Sequence, residues 1–279
     1  MSPKPLSAEQ LNSTIPHTYI PSFNMSQERA FDRLIAQGQT KNAADLITGF
    51  VDQSVSRLDK GYLQGNLPRI MLKELALPLY ERQRLDHLGF LVDNPSTVAQ
   101  VYPRIVTLME YFQNLHDNIG RGTNPYYDKR MTNTLTGGIS ELAIMALTTR
   151  QITGSEDDEF NLIPSTADED QETGGKIPSV YTNIDFWLSD RESGRQLPIQ
   201  VKTTATPKRY HPDITIINFT SIAGGNKGDA HRLQQALIAE TTEGSLSDEQ
   251  TQHIEESSDK LFDKFRAGIS AIALQQTIL

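Results

Sequence analysis

Asn183-Ile184-Asp185-Phe186-Trp187-Leu188 and Leu197-Pro198-Ile199-Gln200-Val201-Lys202 are the two stretches that set the architecture of this chain. Between them runs Ser189-Asp190-Arg191-Glu192-Ser193-Gly194-Arg195-Gln196, polar and containing a glycine, which reads as a hairpin connection. Side chains alternate faces along a strand, so Ile184, Phe186 and Leu188 share one face, as do Leu197, Ile199 and Val201. Asp185, Gln200 and Lys202 then fall on the opposite face. Pairing Ser189 with Gln196 sets Asp185 opposite Gln200, with Cβ atoms roughly 5 Å apart. A carboxylate, an amide oxygen and an ammonium on one patch of sheet can hold a divalent metal and a reacting phosphate. The plainer alternative is a wet face of an antiparallel hairpin.

A third residue bears on the choice. Thr136-Gly137-Gly138-Ile139-Ser140-Glu141-Leu142-Ala143-Ile144-Met145-Ala146-Leu147 reads as a helix whose later turns are apolar almost all round, the pattern of a buried helix. A carboxylate taken into such surroundings is expected to be protonated, paired or metal-bound. Glu141 therefore calls for a cation or a donor, which a metal at Asp185 or the Lys202 ammonium would supply. The alternative places it at the helix margin, meeting water or an arginine.

The order of these parts, a helix with Glu141, a strand with Asp185 and a strand with Gln200-x-Lys202, resembles the PD-(D/E)xK nuclease superfamily. That superfamily includes restriction endonucleases, junction resolvases and recombination nucleases. The resemblance spans Glu141 to Lys202. It implies an α/β (α+β) fold, a mixed central sheet flanked by helices and restriction-endonuclease-like. Glu141, Asp185, Gln200 and Lys202 become the catalytic set, and Glu141, Asp185, Gln200 and Val201 the metal set. Thr203, Lys208 and Arg209 become substrate contacts, and Mg²⁺, or Mn²⁺, the cofactor. The pattern more often has Asp or Glu at the position of Gln200, and a proline at the position of Ile184. The Gln form is similar to that of the endonuclease subunit of some cut-and-paste transposition systems. Because Mg²⁺ prefers oxygen ligands, the Gln200 amide can serve, but with one negative charge fewer. Glu141 would partly restore it. The implied chemistry is metal-assisted hydrolysis of a DNA phosphodiester, with Lys202 orienting or deprotonating the water or stabilising the charged phosphate.

The chain has 279 residues, 37% hydrophobic and 22% charged, which suits one large domain or two smaller ones. It contains no cysteine, so disulfides and thiolate metal sites are excluded. No apolar run reaches spanning length, and Met1-Ser2-Pro3-Lys4-Pro5 lacks a hydrophobic signal core. A cytoplasmic protein without a membrane partner is the simplest expectation. The formal net charge of -9 runs against nucleic-acid binding, but its distribution does not. Residues 155–172 carry eight acidic and no basic residues, whereas 26–150 carry thirteen acidic and fourteen basic, and 173–230 five and seven. DNA binding is thus permitted, with any charge-driven part of it weak.

Residues 1–25, with Pro3, Pro5, Pro16 and Pro21, read as an extended arm. Apolar residues at helical spacing, Phe31, Leu34, Ile35, Ala43, Ile47, then Val101, Ile105, Leu108, Met109, Phe112 and Leu115, predict a helical subdomain over 26–125. The nuclease-like domain follows over 126–279, with residues 155–172 as a surface loop and Ile214–Phe219 as a further strand. Gly224-Gly225-Asn226-Lys227-Gly228 precedes a helix at 229–241. Its amides suit a phosphate or, without Walker spacing, simply a turn. A last helix, 248–276, carries an apolar stripe, Ile254, Leu261, Phe262, Phe265, Ile269 and Ile272, for the core or for a dimer. His211 and His231 approach the cleft by chain position, or lie on the surface.

Three functions fit. The first is a restriction-type endodeoxyribonuclease acting on DNA, by family analogy as a homodimer. The second is a repair, recombination or transposition nuclease. The third is a non-enzymatic interaction module on a nuclease-like sheet.

Overall fold

The computed structural model describes residues 24–56, 98–121, 129–154, 160–164, 184–203 and 214–278. Seven helices and four strands lie among the described residues. The helices are α1 (Met25–Ala36), α2 (Thr40–Ser56), α3 (Val98–Arg121), α4 (Lys129–Gly154), α5 (Phe219–Ile222), α6 (Lys227–Thr242) and α7 (Asp248–Ile278). The strands are β1 (Phe160–Pro164), β2 (Phe186–Asp190), β3 (Gln196–Lys202) and β4 (Thr215–Asn218), in sheet order β1-β2-β3-β4. β1, β2 and β3 pair antiparallel, whereas β3 and β4 run parallel, so the sheet is mixed as expected.

Local chemistry accounts for the entries into the helices. Asn24 caps α1, its side chain accepting from the amides of Ser26 and Gln27, while the Gln27 side chain accepts from the Asn24 amide. This reciprocal arrangement satisfies three otherwise orphaned donors. In α1 to α3 the residues at helical spacing become the core: Phe31, Ile35, Ala43, Ile47, Val101, Ile105, Leu108, Met109, Phe112 and Leu115 are all buried. Tyr111 packs edge-on against both Phe31 and Phe112.

The helix expected over 136–147 extends at both ends to become α4. Leu142 to Leu147 are buried without a break, as its apolar circumference required. α4 packs on α3, α5, α6 and α7 and on strands β1 and β3, and one buried cluster runs from Phe31 to Phe265. The boundary expected near 125 therefore falls between two helices packed on each other. The expected arm at 1–25 lies outside the described residues except for Asn24 and Met25, which open α1.

The expected surface loop 155–172 is corrected at its middle. Phe160–Pro164 forms β1, paired antiparallel to β2 from Phe160↔Asp190 to Pro164↔Phe186. Phe160 is buried between Phe262 and Phe265 of α7. Acidic residues on both sides hid this apolar pentapeptide from any reading of average polarity. The strand expected over Ile214–Phe219 stops at Asn218, whose side chain caps the short α5 by accepting from the Ser221 amide.

α7 lies across the sheet. Its Gly268 faces Leu197 of β3 and Thr215 of β4 so closely that a Cβ would come within 2.8 Å of Leu197 Cδ2. Ile254, Leu261, Phe262 and Phe265 are buried, with Ile269 and Ile272 packed against them, so the α7 stripe serves the core. Away from the sheet, Glu240 of α6 joins three helices. It accepts from Arg150 Nε at 3.0 Å through both oxygens, and from the hydroxyl of Tyr102. Burial, and then this bond to Glu240, raise the Tyr102 pKa, keeping the phenol neutral as the donor.

Three measurements check this account. Gly268→Val should destabilise by about 1–3 kcal/mol in urea unfolding through overpacking. In contrast, Gly49→Ala, which meets nothing within 4 Å in α2, should stabilise by roughly 0.5–1 kcal/mol. Glu240→Ala should cost about 1–3 kcal/mol, and a double-mutant cycle with Arg150→Ala should show coupling.

Candidate active site

The hairpin register comes first, because it aligns everything else. Ser189 pairs with Gln196 and Phe186 with Ile199, as the sequence predicted. In the turn, the Asp190 carboxylate accepts from the Ser193 hydroxyl and from the amides of Glu192 and Ser193. The Ser193 bond leads in holding its carboxyl below the usual carboxylate range. Phe186, Leu188, Leu197, Ile199 and Val201 are all buried, confirming the apolar face.

At the far end of the hairpin the expectation needs refining. The strand predicted to begin at Asn183 begins at Phe186. The Asp185 amide donates to the Ile199 carbonyl at 2.8 Å, and its Oδ2 accepts from the Val201 amide at 2.6 Å. Side-chain bonding to the main chain replaces a ladder bond there, so the ladder stops one residue short of Asp185. The Asp185 carboxylate lies against the β3 main chain instead of standing out from the sheet with Gln200 and Lys202.

Gln200 is buried, with 4% of its surface exposed. The alternative of a wet sheet face therefore does not hold at this residue.

Helix α4 meets the end of β3 through Ser140, whose hydroxyl lies 3.1 Å from that of Thr203. Ser140 also donates to the Thr136 carbonyl one turn back, which fixes the hydroxyl. Glu141 is the next residue, half-buried, with its Oε1 shielded from solvent. The turn of α4 bearing Glu141 thus abuts the strand bearing Gln200 and Lys202. Among the described residues no group of three His, Asp or Glu side chains is arranged for a metal. A cation held by Glu141 and Asp185 would accordingly take a neutral third donor, and Gln200 is that residue type.

Lys202 and Thr203 open onto a cleft of about 590 Å³. It lies past the last residues of β3 and β4, which run parallel. Ligand sites in open sheets favour this carboxyl edge of parallel strands. Thr203 is fixed there, its carbonyl accepting from the amide and hydroxyl of Thr220. Helix α6 supplies Lys227, His231 and Gln234, α4 supplies Thr132, Asn133 and Thr136, and α3 supplies His116. Glu141, Asp185 and Gln200 are not among the lining residues, so the expected catalytic set divides between the cleft and the packed interior behind it.

The reading of the sequence missed most of this lining. One signal existed: Lys227, His231 and Gln234 recur at helical spacing and form a polar stripe on α6. His231 was expected either near the cleft or on the surface, and it is exposed while lining the cleft. Gly224–Asn226 of the glycine-rich segment form a turn, and Lys227 and Gly228 already begin α6. Asn226 caps α6 by accepting from the Asp229 amide, and Asp229 supplies the negative charge that the helix N-terminus favours. Lys208, Arg209 and His211 lie outside the described residues.

Among the described residues no helix is long and apolar enough to cross a membrane. The chain matches no family model, no curated protein and no solved structure.

Proposed function

We propose that this protein is a metal-dependent endodeoxyribonuclease of restriction type, hydrolysing DNA phosphodiesters at the junction of α4 and β3. One observation carries the reading. The Asp185 carboxylate is bound to the amide of Val201, the residue between a buried Gln200 and a lysine, Lys202, that opens onto a cleft. A carboxylate and an amide carried by the two arms of the β2–β3 hairpin, with a carboxylate on the adjoining helix, would offer an oxygen-rich donor set suited to a hard divalent ion. Glu141, Asp185 and Gln200, with Val201 beside them, would hold Mg²⁺ or Mn²⁺. Such an ion, when bound, supplies activation of water and neutralisation of phosphate charge.

The remaining work falls to the chain. The Val201 amide holds Asp185 in one orientation, which limits the entropy lost when substrate arrives. Lys202, at the cleft mouth, places an ammonium where a phosphate oxygen gains charge as it is attacked. The Ser140–Thr203 contact keeps the helix and the strand end in register.

A second reading has its own support. The same Val201–Asp185 bond serves equally as a local clasp closing the hairpin, and Gln200 in place of a carboxylate lowers the site's charge. On that reading the protein is a non-enzymatic interaction module.

Cleavage assays separate the two. Supercoiled plasmid incubated with protein and Mg²⁺ or Mn²⁺ should be nicked or linearised, and EDTA should abolish this. Asp185→Asn retains an oxygen for the Val201 amide while removing charge. It and Lys202→Ala should each lower the rate by about a hundredfold or more at unchanged melting temperature. Discrete fragments would support restriction-type recognition, and a smear a repair, recombination or transposition role. Absence of cleavage with either metal, together with a melting temperature that neither metal shifts, would sink the enzyme reading. The turn offers a further check. The Asp190 carboxyl should titrate below the ordinary range by NMR, and Ser193→Ala should move it back up. With a lowered folded pKa, its contribution to stability is complete above the unfolded pKa of about 3.9 and fades as pH falls through the folded one.

A further inference from the structure

The cleft beyond Lys202 carries more than one cation. Lys227 stands on the first turn of α6 and lines the same space, with His231 one turn on and Gln234 after it. No Asp or Glu is found among the described lining residues, although the whole chain has a net charge of -9. Among the described residues neither Lys202 nor Lys227 has a carboxylate at ion-pair distance. The nearest acid in the chain to Lys227, Asp229, is occupied elsewhere, bound by Arg232 and by the Asn226 amide group. Likewise Asp117 takes the His116 ring at 3.6 Å. Two ammonium groups facing one cleft repel each other unless an anion lies between them. The Gln234 amide adds a neutral donor. At about 590 Å³ the space falls within the roughly 300–1,000 Å³ of small-ligand sites.

We propose that this cleft is a phosphate-binding site in which Lys227 and His231 of α6 supply a second point of contact beyond Lys202. The inference deepens the nuclease reading by naming what grips the substrate on the far side of the scissile position, yet its chemistry stands without hydrolysis. The phosphate belongs either to a nucleic-acid strand or to a small molecule such as a nucleotide or inorganic phosphate. Lys227 acts as a positioning residue and takes no part in bond breaking.

Binding in EDTA tests this without catalysis. The probe is a fluorescein-labelled single-stranded dodecanucleotide followed by anisotropy, with inorganic phosphate and dAMP as competitors. Lys227→Ala should weaken strand binding by about tenfold, the loss of one charge-assisted contact, and Lys227→Glu by more. His231→Ala should weaken it less, and Lys260→Ala on the exposed face of α7 should leave it unchanged. Competition by dAMP or phosphate assigns the site to an isolated phosphate group. Strand binding that resists both competitors, yet still depends on Lys227, assigns it to the strand backbone. Wild-type affinity in both Lys227 variants, or failure of the wild type to bind any of the three probes, overturns the proposal. Absence of plasmid cleavage alongside intact Lys227-dependent binding would sink the nuclease reading alone.

Discussion

Pairing of Ser189 with Gln196 is the constraint from which the sheet and the candidate site both follow. Strand parity has period two, so a slip of one residue would carry Leu197, Ile199 and Val201 from the core to the other face. All three are buried, so a slip that brought them to solvent would cost roughly 1.5–3 kcal/mol for each side chain exposed. The same register that protects the core brings Asp185 to the Val201 amide. Core and site are therefore coupled. The hairpin cannot relax at its polar end without disturbing its apolar face.

Helix α4 is the second organiser. It touches three further long helices and two strands, and its middle turns have no solvent-facing side. A helix so enclosed can move only if its neighbours move, which makes it a firm support for Glu141 beside β3. Its hydroxyls illustrate how a buried helix accommodates polar residues. Ser140, Thr148 and Thr149 each donate to the carbonyl four residues back, so no partner from another element is needed. Ser140 also reaches outward, to Thr203, and that contact brings the helix to the end of the strand.

Wherever side-chain periodicity was strong, the fold was legible. The stripe on α3, the apolar run of α4, the alternation in β2 and β3 and the stripe on α7 all became core. β1 was not legible, because five residues between two acidic clusters carry too little periodicity to overcome the composition around them. The end of β2 was misplaced because a side-chain bond from Asp185 replaced a ladder bond, an event that alternation does not encode. The cleft was harder still. Its walls come from α3, α4, α6 and the ends of two strands, and which helix faces which is a property of packing across a hundred residues. Lys227, His231 and Gln234 show an ordinary polar helix face until β3 and β4 are set beside them.

Charge gives these observations a common logic. A protein of net charge -9 repels a polyanion at long range, so attraction must be local and arise where cations converge in a low-dielectric recess. Screening reinforces the point, since distant surface carboxylates are damped over about 8–10 Å at moderate salt while groups inside a cleft are damped less. Acidity in this chain is concentrated in residues 155–172 and in the region from 231 onward, whose acids are set against only four basic residues. Yet the helix that opens this last region turns Lys227, His231 and Gln234 toward the cleft, and its Glu240 toward Arg150 and Tyr102. Sorting charge by helix face in this way leaves a recess free of described carboxylates inside an acidic protein. On the proposed reading, it restricts productive binding to ligands that can place a phosphate inside the recess, and leaves the outer surface to turn nonspecific polyanions away.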